Sequence, residues 1–106
     1  MEENIENRGK RITLPKKDLT DIEFNEYFVK AIYSLGFVLN ETESGWVNVY
    51  RSVYDGLVIE FSVDDLFFRL IHDETKEVLL ESDVMLSMQY MEGLFFQISK
   101  YLKPRV

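Results

Sequence analysis

The sequence predicts a single α+β domain in which an N-terminal helix, an antiparallel meander of about four to five strands and a C-terminal helix follow one another. Three observations predict it. Apolar residues recur at helical spacing after a capping signal at Thr20, short β-rich runs broken by turn residues fill 37–81, and a second helical stripe runs on to Pro104. In the 106-residue chain the expected division is a basic leader over 1–15 and one folded unit over 16–106.

The leader is polar and unpatterned, and Arg8, Lys10, Arg11, Lys16 and Lys17 make the segment before the first helix basic. Residues 12–14, before Pro15, read as a short extended piece. Thr20 and Glu23 then have the Ser/Thr-x-x-Glu form of a capping box, in which each side chain satisfies a free backbone N–H of the other; Asp21 adds favourable charge. Phe24, Phe28, Ala31, Ile32 and Leu35 form one face, and Gly36 suits the left-handed residue that ends a helix, so the first helix is expected over 21–35.

Asp55-Gly56, taken as a two-residue turn, sets Tyr54 opposite Leu57, Ser52 opposite Ile59 and Tyr50 opposite Phe61. One face then carries Trp46, Tyr50, Tyr54, Leu57, Ile59, Phe61 and Val63 as core. A two-residue turn at Asp64-Asp65 adds Leu66, Phe68 and Leu70, and pairing His72 with Val78 brings Leu70 beside Leu80, Ile71 beside Leu79 and Arg69 beside Glu81. The outer face gains a ladder of alternating charge, Arg51, Glu60, Arg69, Glu81, which pins the register. A three-residue loop is the competing register; it opposes Val53 to Leu57 and turns Trp46, Tyr50 and Tyr54 outward as a platform for single-stranded nucleic acid.

The second helix is expected to start near Ser82 or Asp83, with Val84, Met88, Met91, Phe95, Ile98 and Leu102 as its apolar stripe. Gly93 inside it suggests close packing or a tolerated defect. Met88 and Met91 belong to the core stripe, whereas Met85 does not.

Several chemistries are disfavoured. With Cys 0 there are no disulfides, thiolate nucleophiles or Cys-based metal sites, and a reducing, cytoplasmic location is expected. His72 beside Asp73 and Glu74 reads as a strand-end residue rather than a base or ligand, and zinc would need carboxylates it seldom uses. The pairs Asp64-Asp65 and Asp73-Glu74 fall at exposed turns, where nothing separates two carboxyl pKa values. Phosphate loops, nucleophile elbows and calcium-loop spacing are missing from the sequence, so neither an enzyme nor a cofactor is expected. No apolar run reaches the ~20 residues of a membrane span.

The formal net charge of −7 opposes direct binding to nucleic acid. Attention therefore falls on the outer sheet face, where Val53, Val58, Ile71 and Leu79 form a row with Val47, Val49 and Phe67 nearby, too apolar for a solvated surface. Either a helix covers it, or it meets a partner. The candidate partner surface is Val53, Val58, Ile71, Leu79 and Phe67 with Arg51, Glu60, Arg69 and Glu81. The expected function is a small acidic protein-interaction module: an adaptor, chaperone or inhibitor. Three alternatives are an acidic inhibitor that mimics nucleic acid towards a nuclease or defence enzyme, a homodimeric structural module, and a single-strand binder using Trp46, Tyr50 and Tyr54.

Overall fold

The computed structural model describes residues 18–104; the basic leader over 1–15 lies outside them. Helix α1 spans Asp21–Ser34 and opens on the expected capping box: Thr20 Oγ1 accepts from Glu23 N, and Thr20 N donates to Glu23 Oε1, both at 3.0 Å. Gly36 takes φ 95° at its end. Strands β1 (Phe37–Leu39), β2 (Asn48–Ser52), β3 (Leu57–Ser62), β4 (Phe67–His72) and β5 (Val78–Asp83) form one antiparallel sheet in sequence order, and helix α2 (Met88–Ser99) closes the domain. The α+β order expected from the sequence is the one observed.

Phe24, Phe28 and Ile32 from α1 and Met91, Leu94 and Ile98 from α2 share one core with Phe37, Tyr50, Leu57, Ile59, Phe61, Phe68 and Leu70. Both helices therefore cover the same sheet face. The Phe28 ring stacks on Phe61 at 4.1 Å between centroids, the tightest pairing in a group of rings that includes Phe24, Phe68 and Phe95.

The β3–β4 register is the expected one, with Glu60 opposite Arg69 and Phe61 opposite Phe68 across the Asp64-Asp65 turn. The β2–β3 register is not. Tyr50 faces Ile59 and Arg51 faces Val58, so the connection spans 53–56 and pairing shifts by two residues from the two-residue turn. Ser52 causes this: its Oγ accepts from both Asp55 N at 3.2 Å and Leu57 N at 2.9 Å, which ends the ladder early. A shift of two preserves side-chain parity, so Tyr50, Leu57, Ile59 and Phe61 remain in the core. Trp46 and Tyr54, expected there too, lie beyond the strand ends and are 68% and 66% exposed. Leu66, at φ 51° in its turn, is also exposed.

Between β4 and β5 the expected pairs Arg69–Glu81 and Leu70–Leu80 form, but a bulge then sets Ile71 against Val78. Leu79, expected beside Ile71 on the outer face, instead packs against the main core. The start expected for the second helix near Ser82 or Asp83 is also corrected: β5 runs through Asp83, whose neighbours Phe67 and Phe68 on β4 supply pairing partners, and Ser87 caps α2 by accepting from Tyr90 N at 3.1 Å. The buried stripe of α2 is Met91, Leu94 and Ile98; Met88 is exposed, and Val84 is buried from the preceding loop.

Gly93 does not mark close packing. Beyond its chain neighbours and the backbone of its own helix, no described atom lies within 4 Å of where its Cβ would be. Gly93→Ala should therefore raise unfolding free energy by about 1 kcal/mol, the helix-propensity difference, as read by urea denaturation; a loss of stability would mean that the helix surface here is crowded.

Candidate functional site

Among the described residues no helix covers the outer sheet face. Val47, Val49 and Val58 form a second apolar cluster there, with Phe67 and Ile71 packed against it. The expected row survives only at its centre: Val58 and Ile71 are on the face, whereas Val53 sits in the loop after β2, its N–H bonded to Gly36 O at 2.8 Å, and Leu79 has turned to the main core.

The loop over 40–47 builds one wall. Asn40 Oδ1 accepts from Thr42 Oγ1 at 2.8 Å and Glu43 N at 3.2 Å, while Ser44 Oγ donates to Asn40 O and accepts from Val49 N. Folded on itself in this way, the loop sets Glu43 against Arg51 and carries Trp46 over Phe67, with ring centroids 5.4 Å apart. The Arg69 guanidinium also lies over Phe67, 5.3 Å from the ring centroid.

The charge ladder is redrawn by the register shift. Glu60 and Arg69 pair as expected, at 2.6 Å. Arg51, facing Val58 rather than Glu60, reaches along the face to Glu43 through two bonds of 2.7 Å and to Asp73 at 2.8 Å. Asp73 also meets Lys76 at 3.4 Å and is held in place by its own N–H, which donates to Gly56 O at 2.9 Å. Glu81 lies beside Arg69 in register. The result is a depression of about 250 Å³ with Val49, Val58 and Ile71 as its apolar lining and Glu43, Arg51, Glu60, Asp73 and Lys76 as its charged lining.

Hydrogen bonds from Arg51 are the main cause that holds the Glu43 and Asp73 carboxyls below their ordinary pKa values, against partial desolvation. A carboxyl depressed in the folded state adds stability above its unfolded pKa, about 4, and that contribution is lost as pH falls through the depressed folded values. Arg51→Gln should let both carboxyls titrate at higher pH in side-chain NMR, and its stability difference from the parent should vanish below that window. Unmoved titrations would show that the pairs do not persist in solution.

The sequence candidates for chemistry do not converge. His72 Nδ1 accepts from Thr75 N at 3.3 Å within its own turn, and Asp73 is engaged by Arg51. Asp65 bonds Ser62 at a hairpin tip. The three aromatics of the single-strand alternative are not a platform, because Tyr50 is buried in the core, where desolvation raises its phenol pKa. No group of His, Asp and Glu among the described residues is placed to hold a metal ion. Among those residues no helix is long and apolar enough to cross a membrane. No family model, curated protein or solved structure matches the chain.

Proposed function

We propose that this chain is a small, acidic, non-catalytic protein-interaction module of the cytoplasm that meets its partner through the outer sheet face. The observation that carries the reading is the asymmetry of the sheet. One face is filled by both helices, and the other presents a valine and isoleucine floor, an ion-paired rim and an exposed tryptophan seated on Phe67. Aromatic residues and arginine on an apolar floor are the composition of interface centres, and a rim already ion-paired loses little on closure.

Trp46 is the sole tryptophan, so its emission reports directly on this face. Affinity capture from nuclease-treated extract should recover a stoichiometric protein that Trp46→Ala weakens by at least about tenfold while Tyr54→Ala does not. Capture indifferent to Trp46→Ala, or Trp46 emission quenched by oligonucleotide and restored by salt, would overturn the reading.

A second reading, self-association through the same face, is favoured by its charge balance. Around the floor Arg51, Arg69 and Lys76 lie against Glu43, Glu60 and Asp73, with Glu81 and Asp83 added only at the β5 edge, whereas the other basic residues of the described range are Lys30, Lys100 and Lys103, set among the more numerous carboxylates of the remaining surface. Two copies of an acidic chain repel least through its least acidic face. Sedimentation equilibrium should then show a dimer that Trp46→Ala dissociates.

A further inference from the structure

We propose that the free edge of β5, with the groove between it and α2, takes an extended peptide segment by strand addition, and that the segment alternates aliphatic with basic residues. The site is separate from the outer-face floor and does not rest on it.

The first observation is the edge itself. β5 ends the sheet and is paired through β4 on one side; no described residue outside β4 makes a backbone hydrogen bond to Val78–Asp83. Exposed edges are usually blunted by lysine, proline, other charges, a bulge or extreme shortness. β5 has six residues and neither lysine nor proline; its bulge falls near its start, before Leu80, and its charges, Glu81 and Asp83, are both acidic, so they bar acidic strands and leave the edge open to basic ones. The second is the groove that runs beside it, about 380 Å³, walled by Leu80, Glu81 and Ser82 on the strand and by Tyr90, Gly93 and Leu94 on the helix. A hydrogen bond between Ser82 and Tyr90 ties the two walls at one end. The open space above Gly93 widens the groove where any larger residue would narrow it.

Strand alternation then dictates the occupant. Leu80 points to the helix side, whereas Glu81 and Asp83 point with Arg69 and Phe67 to the outer side. An added strand follows the same alternation, so every second side chain enters the groove against Leu80 and Leu94, and the others lie beside Glu81 and Asp83. The first set must be aliphatic and the second basic, since like charges opposed across strands repel. No lysine or arginine occurs between Glu77 and Gln97, and the base opposite Glu81, Arg69, is paired with Glu60 at 2.6 Å.

The test uses the full chain and a short synthetic peptide alternating lysine with leucine and valine, followed by fluorescence anisotropy and amide NMR. The expected result is saturable binding with shifts confined to Val78–Asp83 and to 89–97. A version with glutamate for lysine, and one with a central proline, should each bind at least about tenfold more weakly. Gly93→Leu, whose Cβ has open space, should project into the groove and block it, an amide spectrum unchanged outside the groove showing that the fold is kept, and Glu81→Lys should weaken binding; Trp46→Ala should leave it unchanged, so this site and the outer face fail separately. No saturable binding, equal binding of the glutamate peptide, shifts at Val49, Val58 and Ile71 instead, or indifference to Gly93→Leu would each overturn the proposal. So would a peptide-free dimer abolished by Gly93→Leu, which would make a second copy the occupant.

Discussion

Phe28→Ala is expected to cost about 3–5 kcal/mol of unfolding free energy, the largest effect of any single substitution considered for this chain. The side chain is fully buried, and its ring lies between those of both helices and the central strands, 4.1 Å from Phe61 and 5.7 Å from Phe95. Truncation loses the transfer free energy of the ring and leaves a cavity whose walls belong to three separate elements and cannot collapse together. A domain of this size holds only about 5–15 kcal/mol in total, so the variant should be partly unfolded at physiological temperature. Urea denaturation checks it, and a cost below about 1 kcal/mol would mean that the aromatic cluster is not where the stability resides.

Asp55→Ala should cost about 1–3 kcal/mol, far more than a hairpin-tip aspartate usually would. Asp55 is 7% exposed, and its Oδ1 accepts from Lys103 N at 2.9 Å, fastening the loop after β2 to the chain segment after α2. Removing the carboxylate leaves that donor without this acceptor. Asp55→Asn, which keeps an acceptor oxygen, should retain most of the stability. Hydrogen exchange at the Lys103 amide reads the bond directly: it should quicken in Asp55→Ala and change little in Asp55→Asn. Equal behaviour of the two variants would show that the carboxylate acts by charge rather than by this bond.

Where determinants are local, the sequence was legible. Thr20, Glu23 and Gly36 mark α1 because a capping box and a left-handed terminus involve only residues within one turn of each other. The Asp64-Asp65 hairpin was legible for the same reason. Asp55-Gly56 misled because its loop is set by Ser52, whose hydroxyl competes for two backbone donors; the error was an even number of residues, so the core assignments of Tyr50, Leu57, Ile59 and Phe61 outlasted the wrong pairs. The onset of α2 was placed too early, near Ser82 or Asp83, because the pairing of Phe67 and Phe68 that keeps those residues in β5 is a long-range contact; Ser87 caps the helix instead. Of the candidate surface, Val58, Ile71 and Phe67 with Glu60 and Arg69 were legible from alternation. Val53 and Leu79 were misplaced by a loop and a bulge that alternation does not see. The wall over 40–47 was missed, although Asn40 and Ser44 are residue types that fold a loop on itself, and with it the true partners of Arg51.

Because each strand bonds the strand next to it in sequence, the wiring of the sheet has a kinetic consequence. Closing a loop costs entropy that grows only with the logarithm of its length, and here no strand pairing has to close more than the short segment over 40–47. Contact order among the strands is therefore low, which places folding towards the fast end for a β-rich domain. The order of synthesis follows the same line. α1 and all five strands emerge from the ribosome before α2, so the meander can form against α1 alone, with Leu80, which faces α2 in the folded domain, still exposed. Docking of α2 is thus the step that takes this sheet out of its aggregation-prone stage.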